Sequence, residues 1–391
     1  MEQITGLVKL IDNFAVSSDA CIILPYELTN KQRAAVHDYA SKIPGIYTES
    51  ISTNTSSLKM IKVWRGDMKN VPHAIDSHDI EAFVIYSDIP VPCPHVDFIN
   101  SYVETLDPLY DSVRRWDLYK SEYRTILTKG TINEASKKIR SNIQQHPSFA
   151  KLLSQRHNAS QNQLDREIYI YDNIGKTFMS IDIRCANFSI LQYMCPDIFG
   201  GATWEEYVAR FTTSKFIQES KPFREIVLGG IGYSKISNAI QSQIIHDIHL
   251  LVAKQMELKI VMKKGDEVVY ELDTDLVEQE GFAASMVKLY EMISSQKFGN
   301  IFHLKIFKLE NLEKKPYYIK KYVWNSSDPT MTSNLLWHKI EFKCVPKKFI
   351  IQALRKYLGQ PVKNEELYFM DDGILAKYEY PVFEYSLDIG R

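Results

Sequence analysis

A β-hairpin signal between two amphipathic helix signals constrains the fold of this chain more than any other feature. Residues 258–272, LKIVMKKGDEVVYEL, place two β-branched runs around a Gly-Asp centre, which is typical of a tight hairpin. Apolar residues recur at helical spacing from Ile236 onward and again from Phe282 onward. Strand-like runs at 178–183 and 302–307 complete a β-α-β-β-α-β order, which predicts a ferredoxin-like sheet carrying helices.

The chain has 391 residues, more than one typical domain, and its 45% hydrophobic and 12% aromatic content is sufficient for real cores. We predict an α+β protein made of four segments. These are a small N-terminal α/β domain (1–70), a mixed and helical linker region (71–164), the α/β domain that contains the hairpin (165–311), and a C-terminal α/β extension (312–391). Finer expectations are a strand at 167–171 and a polar loop at 50–57.

The overall charge excludes one way of binding nucleic acid. With 47 basic and 48 acidic residues the net charge is -1, so the protein has no global positive field and any nucleic-acid contact must be local. The five cysteines are scattered, the N-terminus lacks the pattern of a signal peptide, and no apolar run reaches the length of a membrane span. We therefore expect an intracellular, cytoplasmic protein with no membrane partner.

Two aspartates lie where a shared metal site is expected. Met179, Ile181 and Ile183 fall on one face of the first strand, which leaves Asp182 on the other face, where an ionised group is costly unless it binds something. Asp266 is at the hairpin turn. In-line phosphoryl transfer develops charge on both the attacking and the leaving oxygen, and two metal ions neutralise both.

In palm-type nucleotidyl-transfer enzymes, acids at a strand end and in a hairpin turn hold two divalent metals. Similarity to that arrangement implies that Asp182 and Asp266 hold two Mg²⁺ ions and that Glu267 acts as a further ligand or supports them. Four cations in the segment between the two acids, together with one beside Asp182, are expected to bind the phosphates of a nucleoside triphosphate or a nucleic-acid backbone. They are Arg184, Lys215, Lys221, Arg224 and Lys235. The alternative is that Gly-Asp forms an ordinary turn while Asp182 pairs with Arg184 or a lysine.

Residues 178–309 resemble the palm domain of tRNA-His guanylyltransferases and related polymerases. In that family a strand ending in Asp-x-Arg-x-x-x-Phe precedes a helix, and a later hairpin carries an Asp-Glu pair; the matching residues are Asp182, Arg184, Phe188, Asp266 and Glu267. The sequence departs from the family at two positions. Ile183 replaces a glycine after the first aspartate, and Gly265 replaces a serine before the second. The resemblance implies two-metal nucleotidyl transfer.

The N-terminal segment contains an arginine and a histidine one helical turn apart. Arg33 and His37 share a face of a predicted helix, and a basic strand follows. Cations that bind phosphate and rings that stack on bases are the elements of single-strand recognition. The candidate nucleic-acid contacts are Arg33, His37, Lys59, Lys62, Trp64 and Arg65. Residues 18–66 resemble the small Arg-x-x-x-His domain that binds single-stranded DNA or RNA; a solvated helix face is the alternative.

Two hypotheses about function follow from these patterns. The first is a metal-dependent nucleotidyltransferase or polymerase-like enzyme that acts on single-stranded RNA or DNA with a nucleoside triphosphate. The second is a non-catalytic protein that binds single-stranded RNA or DNA and uses the α/β region as a structural scaffold. They differ in whether Asp182 and Asp266 meet at one site that also contains phosphate-binding cations.

Overall fold

A computed structural model describes most of the chain and confirms the α+β class. The described residues are 2–16, 21–24, 28–52, 59–65, 77–123, 127–155, 164, 167–273, 281–298, 301–313, 316–326, 340–371 and 374–383. The chain divides into two compact units, residues 1–79 and 80–391. The helix α3 (Ser77–Ser87) crosses this division. The predicted division into four segments has no independent test and stays a prediction.

The first unit is a three-stranded antiparallel sheet with two helices. Its elements are α1 (Glu2–Val16), β1 (Cys21–Ile23), α2 (Asn30–Ala40), β2 (Ile46–Ser52) and β3 (Lys59–Arg65), and the strand order is β1-β3-β2. Thr29 begins α2 with a capping box, because its side chain accepts from the amide of Gln32 while the Gln32 side chain accepts in return. Apolar residues of both helices pack on the sheet around Val36 and Ile61.

The predicted loop at 50–57 is wrong at its start. Residues 50–52 belong to β2, where Ser50, Ile51 and Ser52 pair with Ile61, Met60 and Lys59 of β3. Serine is uncommon in strands, but this pairing satisfies the backbone groups of both strands, so tertiary context outweighs local preference. The remainder of the predicted loop, 53–58, lies outside the described residues.

Helices make up the first half of the second unit and return between its strands. Before the sheet they are α4 (Val96–Tyr110), α5 (Ser112–Glu122), α6 (Lys129–Gln144) and α7 (Pro147–Ser154). Between the first two strands they are α8 (Ala186–Met194), α9 (Pro196–Phe199), α10 (Trp204–Val208), α11 (Lys215–Gln218), α12 (Lys221–Gly229) and α13 (Ser234–Gln255). Two more follow, α14 (Phe282–Ser294) and α15 (Ile350–Tyr357).

The main sheet has six antiparallel strands. They are β4 (Thr177–Ile183), β5 (Lys259–Lys264), β6 (Glu267–Leu272), β7 (Phe302–Asn311), β8 (Tyr318–Asn325) and β9 (Ile340–Lys343), in the order β5-β6-β4-β7-β8-β9. The first four strands by sequence, with their helices, have the strand order of a ferredoxin-like fold, as predicted. The last two strands extend the same sheet, so the sheet includes residues of both the predicted 165–311 domain and the predicted 312–391 extension.

The two faces of the sheet differ in what covers them. On one face, α13 and α14 contact the strands, and Met179, Ile181 and Ile183 of β4 are buried. On the other, Phe178 packs with Val269 and Phe307 in a separate apolar cluster. Ser180 and Asp182 lie beyond Phe178 on that second face, because side chains alternate along a strand.

The predicted strand at 167–171 is wrong. These residues form bends that lead into a 3-10 turn, Tyr171–Asn173. The buried Asn173 side chain donates a hydrogen bond to the carbonyl of Ile168 at 2.9 Å, which holds the segment in a turn. Ile168 therefore packs against the face of the sheet that carries Phe178 instead of forming a strand in it.

The C-terminal hairpin β10 (Tyr368–Asp371) and β11 (Ile374–Lys377) is fixed to α4 and α15 by a buried ion pair. Glu366 is fully buried and accepts from Arg355 at 2.7 Å and from Thr105 at 2.9 Å. The Tyr102 hydroxyl bonds to the carbonyls of Glu365 and Tyr368, each at 2.8 Å.

We expect Glu366→Ala to lower the free energy of unfolding by about 3–5 kcal/mol, because it leaves the Arg355 charge buried without its partner. Urea unfolding monitored by circular dichroism measures this loss. Glu365→Ala is the matched control, since the Glu365 side chain is only half-buried, and it should change stability by less than about 1 kcal/mol. Equal losses in the two variants would contradict the assignment.

Candidate functional site

The end of β4 lies directly beside the hairpin turn between β5 and β6. Asp182 is the register partner of Glu267 on β6, and the amide of Ile183 donates to the carbonyl of Asp266 at 3.0 Å. Gly265 has a φ of +56°, a conformation that glycine adopts without strain. The two predicted acids are therefore neighbours across two hydrogen-bonded strands.

Both acids line one cavity of about 480 Å³. Its walls come from the end of β4, the first residues of α8, one face of α12, the hairpin turn and β7. The acidic, basic and histidine side chains of its lining are Asp182, Arg184, Lys221, Arg224, Glu225, Asp266, His303 and Lys305. Three of the five predicted phosphate contacts thus share a cavity with both predicted metal ligands.

The turn after β4 directs the beginning of α8 towards this cavity. Cys185 has a φ of +46° and begins the helix, and its carbonyl accepts from the amide of Phe188 at 2.8 Å. The first amides of a helix have no partners within it, so they favour an anion nearby. The Arg184 side chain is held in place by the Phe302 carbonyl at 3.1 Å and the Tyr290 hydroxyl at 3.3 Å.

The second cationic wall is the first turn of α12. The helix begins there because the Ser220 hydroxyl accepts from the amide of Phe223 at 3.0 Å and a proline occupies the first turn. Lys221 and Arg224 are three residues apart and share a helix face. Lys221 also pairs with Asp88 at 3.1 Å, which restrains its ammonium group beside the cavity.

Asp182 is the most constrained of the acids. One carboxylate oxygen, Oδ2, is 3.3 Å from Nζ of Lys305, while Oδ1 is buried and accepts no hydrogen bond from the described residues. Burial raises the pKa of Asp182, and the charge of Lys305 opposes that rise. The alternative prediction, that a lysine pairs with Asp182, is therefore realised in the same geometry that brings the two acids together.

Asp266 has no such lysine in the described part of the chain. Loss of water around its carboxyl raises its pKa, although the turn residue as a whole is exposed, and the charge of Glu267 adds to the rise. Both aspartates thus carry their negative charge at a cost. A cation in the cavity would reduce this cost for both.

Glu267 does not line the cavity. It accepts a hydrogen bond from the Ser180 hydroxyl at 2.6 Å and lies 3.7 Å from Nζ of Lys320. The Lys320 side chain is only 7% exposed, and its ammonium lies 4.4 Å from the centre of the Phe307 ring. Glu267 is therefore placed to support the strand that carries Asp182 rather than to reach an ion in the cavity.

Two predicted phosphate contacts lie elsewhere. Lys215 lines a separate depression with Arg114 and Glu219, at the start of α11. Lys235 is exposed in the first turn of α13 and is not part of the cavity lining. The helices between β4 and β5 bring Lys221 and Arg224 back to the sheet, but they direct these other two lysines away from it.

Two cavity residues, His303 and Lys305, were not foreseen from the sequence. They alternate with the buried Phe302, Leu304 and Ile306 along β7, so both point to the face that carries Asp182. The alternation in FHLKIF was the available signal, because polar residues at every second position mark an uncovered strand face. What the sequence did not reveal is the register of β7 on β4, which sets His303 opposite Asp182 and Lys305 opposite Ser180.

The oxygen ligands of the cavity fit Mg²⁺, which needs few protein ligands, better than they fit a metal ion bound entirely by protein side chains. Among the described residues there is no group of three or more His, Cys, Asp and Glu side chains arranged to hold a metal ion. Magnesium is commonly bound through one or two carboxylates together with substrate phosphates and water. The carboxylates of Asp182 and Asp266, which lie beside cations suited to phosphate, satisfy that requirement.

In the first unit, Arg33 and His37 both face the fold. Arg33 is only 9% exposed and donates to the Leu28 carbonyl at 2.5 Å. The two ring nitrogens of His37 lie 2.7 Å from the Thr48 hydroxyl and 2.8 Å from the Ser50 hydroxyl. These contacts join α2 to β2, so the solvated-face alternative does not describe either residue.

The four other predicted nucleic-acid contacts are on β3. They are Lys59, Lys62, Trp64 and Arg65, and the structure describes their backbone in that strand but not their side chains. Their positions along one strand agree with the predicted basic strand, while their role stays a prediction.

Comparison with known proteins adds no assignment. No family model, no curated protein sequence and no solved structure gives a significant match to the chain. Among the helices that the structure describes, none combines the length and apolar character needed to cross a bilayer. Any functional conclusion must therefore depend on the geometry of the sites themselves.

We expect the His37 ring to titrate below its ordinary pKa of 6.5, because burial and then the nearby Arg33 charge lower the pKa. As the pH falls through 6.5, the unfolded chain takes up this proton first, so the stability contributed by the neutral ring is lost below that pH. Proton NMR of the imidazole signal, assigned by its disappearance in His37→Gln, measures the midpoint. A midpoint at or above 6.5 would contradict the burial of His37 against β2.

Proposed function

We propose that this protein is a metal-dependent nucleotidyltransferase of the palm type that acts on single-stranded RNA or DNA. The observation that carries the proposal is the single cavity in which Asp182 and Asp266 face Arg184, Lys221 and Arg224. The ferredoxin-like strand order supports it, because this order is what places the end of β4 beside the β5–β6 turn.

The cavity has the size and the charge pattern that a nucleoside triphosphate requires. Small-molecule sites commonly occupy about 300–1,000 Å³, and this cavity has about 480 Å³. The guanidinium groups of Arg184 and Arg224 offer paired donors to phosphate oxygens, and Lys221 adds a point charge. The first amides of α8 provide further donors for the same anion.

Each acid has a distinct part in the proposed reaction. Asp182 and Asp266 would hold two Mg²⁺ ions, which, when bound, stabilise charge on the attacking and leaving oxygens of the transferred phosphoryl group. Glu267, held by Ser180 and Lys320, keeps β4 and β6 in register beneath Asp182. The cations of the cavity orient the triphosphate so that its α-phosphorus faces an incoming hydroxyl.

The first unit is proposed to bind the single-stranded partner. The basic and aromatic residues predicted for that contact, Lys59, Lys62, Trp64 and Arg65, follow one another along β3. Arg33 and His37 would then support the fold of this unit, because their side chains are already engaged with Leu28, Thr48 and Ser50. This part of the proposal is independent of the metal site.

A second candidate function is a non-catalytic nucleic-acid-binding protein with the same scaffold. The observation that favours it is that lysines already accompany two acids of the sheet, Lys305 beside Asp182 and Lys320 beside Glu267. Such pairs neutralise the acids without a metal. The two functions are separated by whether the protein binds Mg²⁺ and incorporates nucleotides.

We expect Mg²⁺-dependent incorporation of labelled nucleotides onto single-stranded oligonucleotides, and we expect Asp182→Asn and Asp266→Asn each to lower it by about a hundredfold or more. Changes to residues that only support metal ligands cost about 10–100-fold, so loss of a ligand should cost at least as much. Asp172→Asn, an exposed position outside the cavity, is the control and should retain full activity.

Calorimetric titration with MgCl₂ makes the test independent of finding the correct substrate. Full activity or unchanged Mg²⁺ affinity in either cavity variant would disprove the metal assignment. Oligonucleotide binding by a wild-type protein that neither binds Mg²⁺ nor incorporates nucleotides would establish the second candidate instead.

A further inference from the structure

We propose that Lys305 is a phosphate-binding residue that rests on Asp182 until a divalent cation takes its place. This inference deepens the proposed function and rests on it. Lys305 and Asp182 are on neighbouring strands, with Nζ and Oδ2 3.3 Å apart, and their side chains are 25% and 27% exposed. The pair is thus partly shielded from water but still open to the cavity that both residues line.

Lys305 differs from Arg184 and Lys221 in the group that its side chain contacts. Arg184 is fixed by a carbonyl and a tyrosine hydroxyl, and Lys221 is fixed by Asp88, which lies outside the cavity lining. In the described part of the chain, the ion pair of Lys305 is with Asp182, a proposed metal ligand itself. Its partner is therefore one of the two carboxylates in the cavity that are proposed to bind metal.

A lysine ammonium and a divalent cation compete for the same carboxylate oxygen. Because Oδ1 is buried, a cation that enters the cavity would approach Oδ2, the oxygen that Lys305 contacts, and the two positive groups would repel each other at the short distances that direct coordination imposes. The lysine side chain has four flexible methylene bonds and three donors, so it can change partner with little strain. A nucleotide that enters with the cation brings phosphate oxygens into the same cavity, and these are the nearest new acceptors for Lys305.

This exchange gives Lys305 two successive functions. In the resting protein it offsets the negative charge of Asp182, whose Oδ1 has no hydrogen bond of its own among the described residues. After the exchange it adds a further cation to those on α12 and the end of β4. The affinity for a cation alone is then kept low, while the affinity for a cation and nucleotide together is high.

The test measures two affinities in Lys305→Met at pH 8, with Mg²⁺ alone and with a non-hydrolysable nucleoside triphosphate in saturating Mg²⁺. Because the competing ammonium is removed, the Kd for Mg²⁺ alone should fall by about three- to tenfold, and Mg²⁺ should raise Tm more than in the wild type. Because a phosphate contact is lost, the Kd for the nucleotide should rise by about tenfold. Calorimetry measures both constants.

Controls separate competition from a structural role. Lys305→Arg keeps the charge, so both constants should lie closer to the wild-type values than those of Lys305→Met. Lys308→Met removes an exposed lysine of the same strand that does not line the cavity and should change neither. Lys305→Gln, which retains hydrogen bonding without charge, provides the same test if circular dichroism shows that Lys305→Met is unfolded.

The outcomes also distinguish this inference from the proposed function. If the Mg²⁺ affinity of Lys305→Met is unchanged or weaker while Asp182→Asn abolishes Mg²⁺ binding, the exchange is overturned and the metal site stands. If nucleotide affinity is unchanged, Lys305 does not bind phosphate and the proposal is likewise overturned. If the wild type binds no Mg²⁺ even together with the nucleoside triphosphate, the proposed function and this inference both fail.

Discussion

The register between β4 and β6 is the constraint on which the candidate site depends. Asp182 is paired with Glu267, so the residue before Glu267 at the hairpin turn is necessarily next to Asp182. A shift of one residue would turn Asp182 towards the helices and bring Ile181 or Ile183 to the cavity side. The register is fixed by the packing of Met179, Ile181 and Ile183 on the face that the helices cover, by the two-residue turn at Gly265, and by the short hydrogen bond between Ser180 and Glu267.

Charge on this face of the sheet is balanced by lysines from strands that lie farther along the chain. Lys305 on β7 faces Asp182, and Lys320 on β8 reaches Glu267 while its ammonium group lies over the Phe307 ring. Burial lowers the pKa of Lys320, and the charge of Glu267 opposes that fall, so each partner lessens the cost of burying the other. Functional sites commonly retain such costly groups because chemistry needs them, while the surrounding fold supplies the stability.

Local patterns predicted those parts of the site that are each defined by a short stretch of sequence. The hairpin turn, the end of β4 and the beginning of α8 are visible from apolar alternation and a Gly-Asp centre, and Asp182 and Asp266 follow from them. Lys305 was missed because its position beside Asp182 depends on the register between β4 and β7, and the two residues are 123 positions apart in the chain. Lys215 was expected beside the two acids, but it lies elsewhere. Its position depends on the path of α9 to α12, which is set by packing that no local pattern encodes. The prediction of a strand at 167–171 was wrong because the Asn173 side chain donates a hydrogen bond to the carbonyl of Ile168 and holds the segment in a turn.

The same arrangement of acids and lysines is compatible with an enzyme and with an inactive scaffold, and the difference between them is energetic. A scaffold needs the Asp182–Lys305 pair to be the most stable state of that carboxylate under all conditions. An enzyme needs the pair to be only slightly more stable than exchange with a cation, so that an arriving nucleotide can shift the balance. The partial exposure of both side chains favours exchange, because a pair near water loses less on separation than a fully buried one. By contrast, Lys320 is almost fully enclosed, and its role beside Glu267 is permanent.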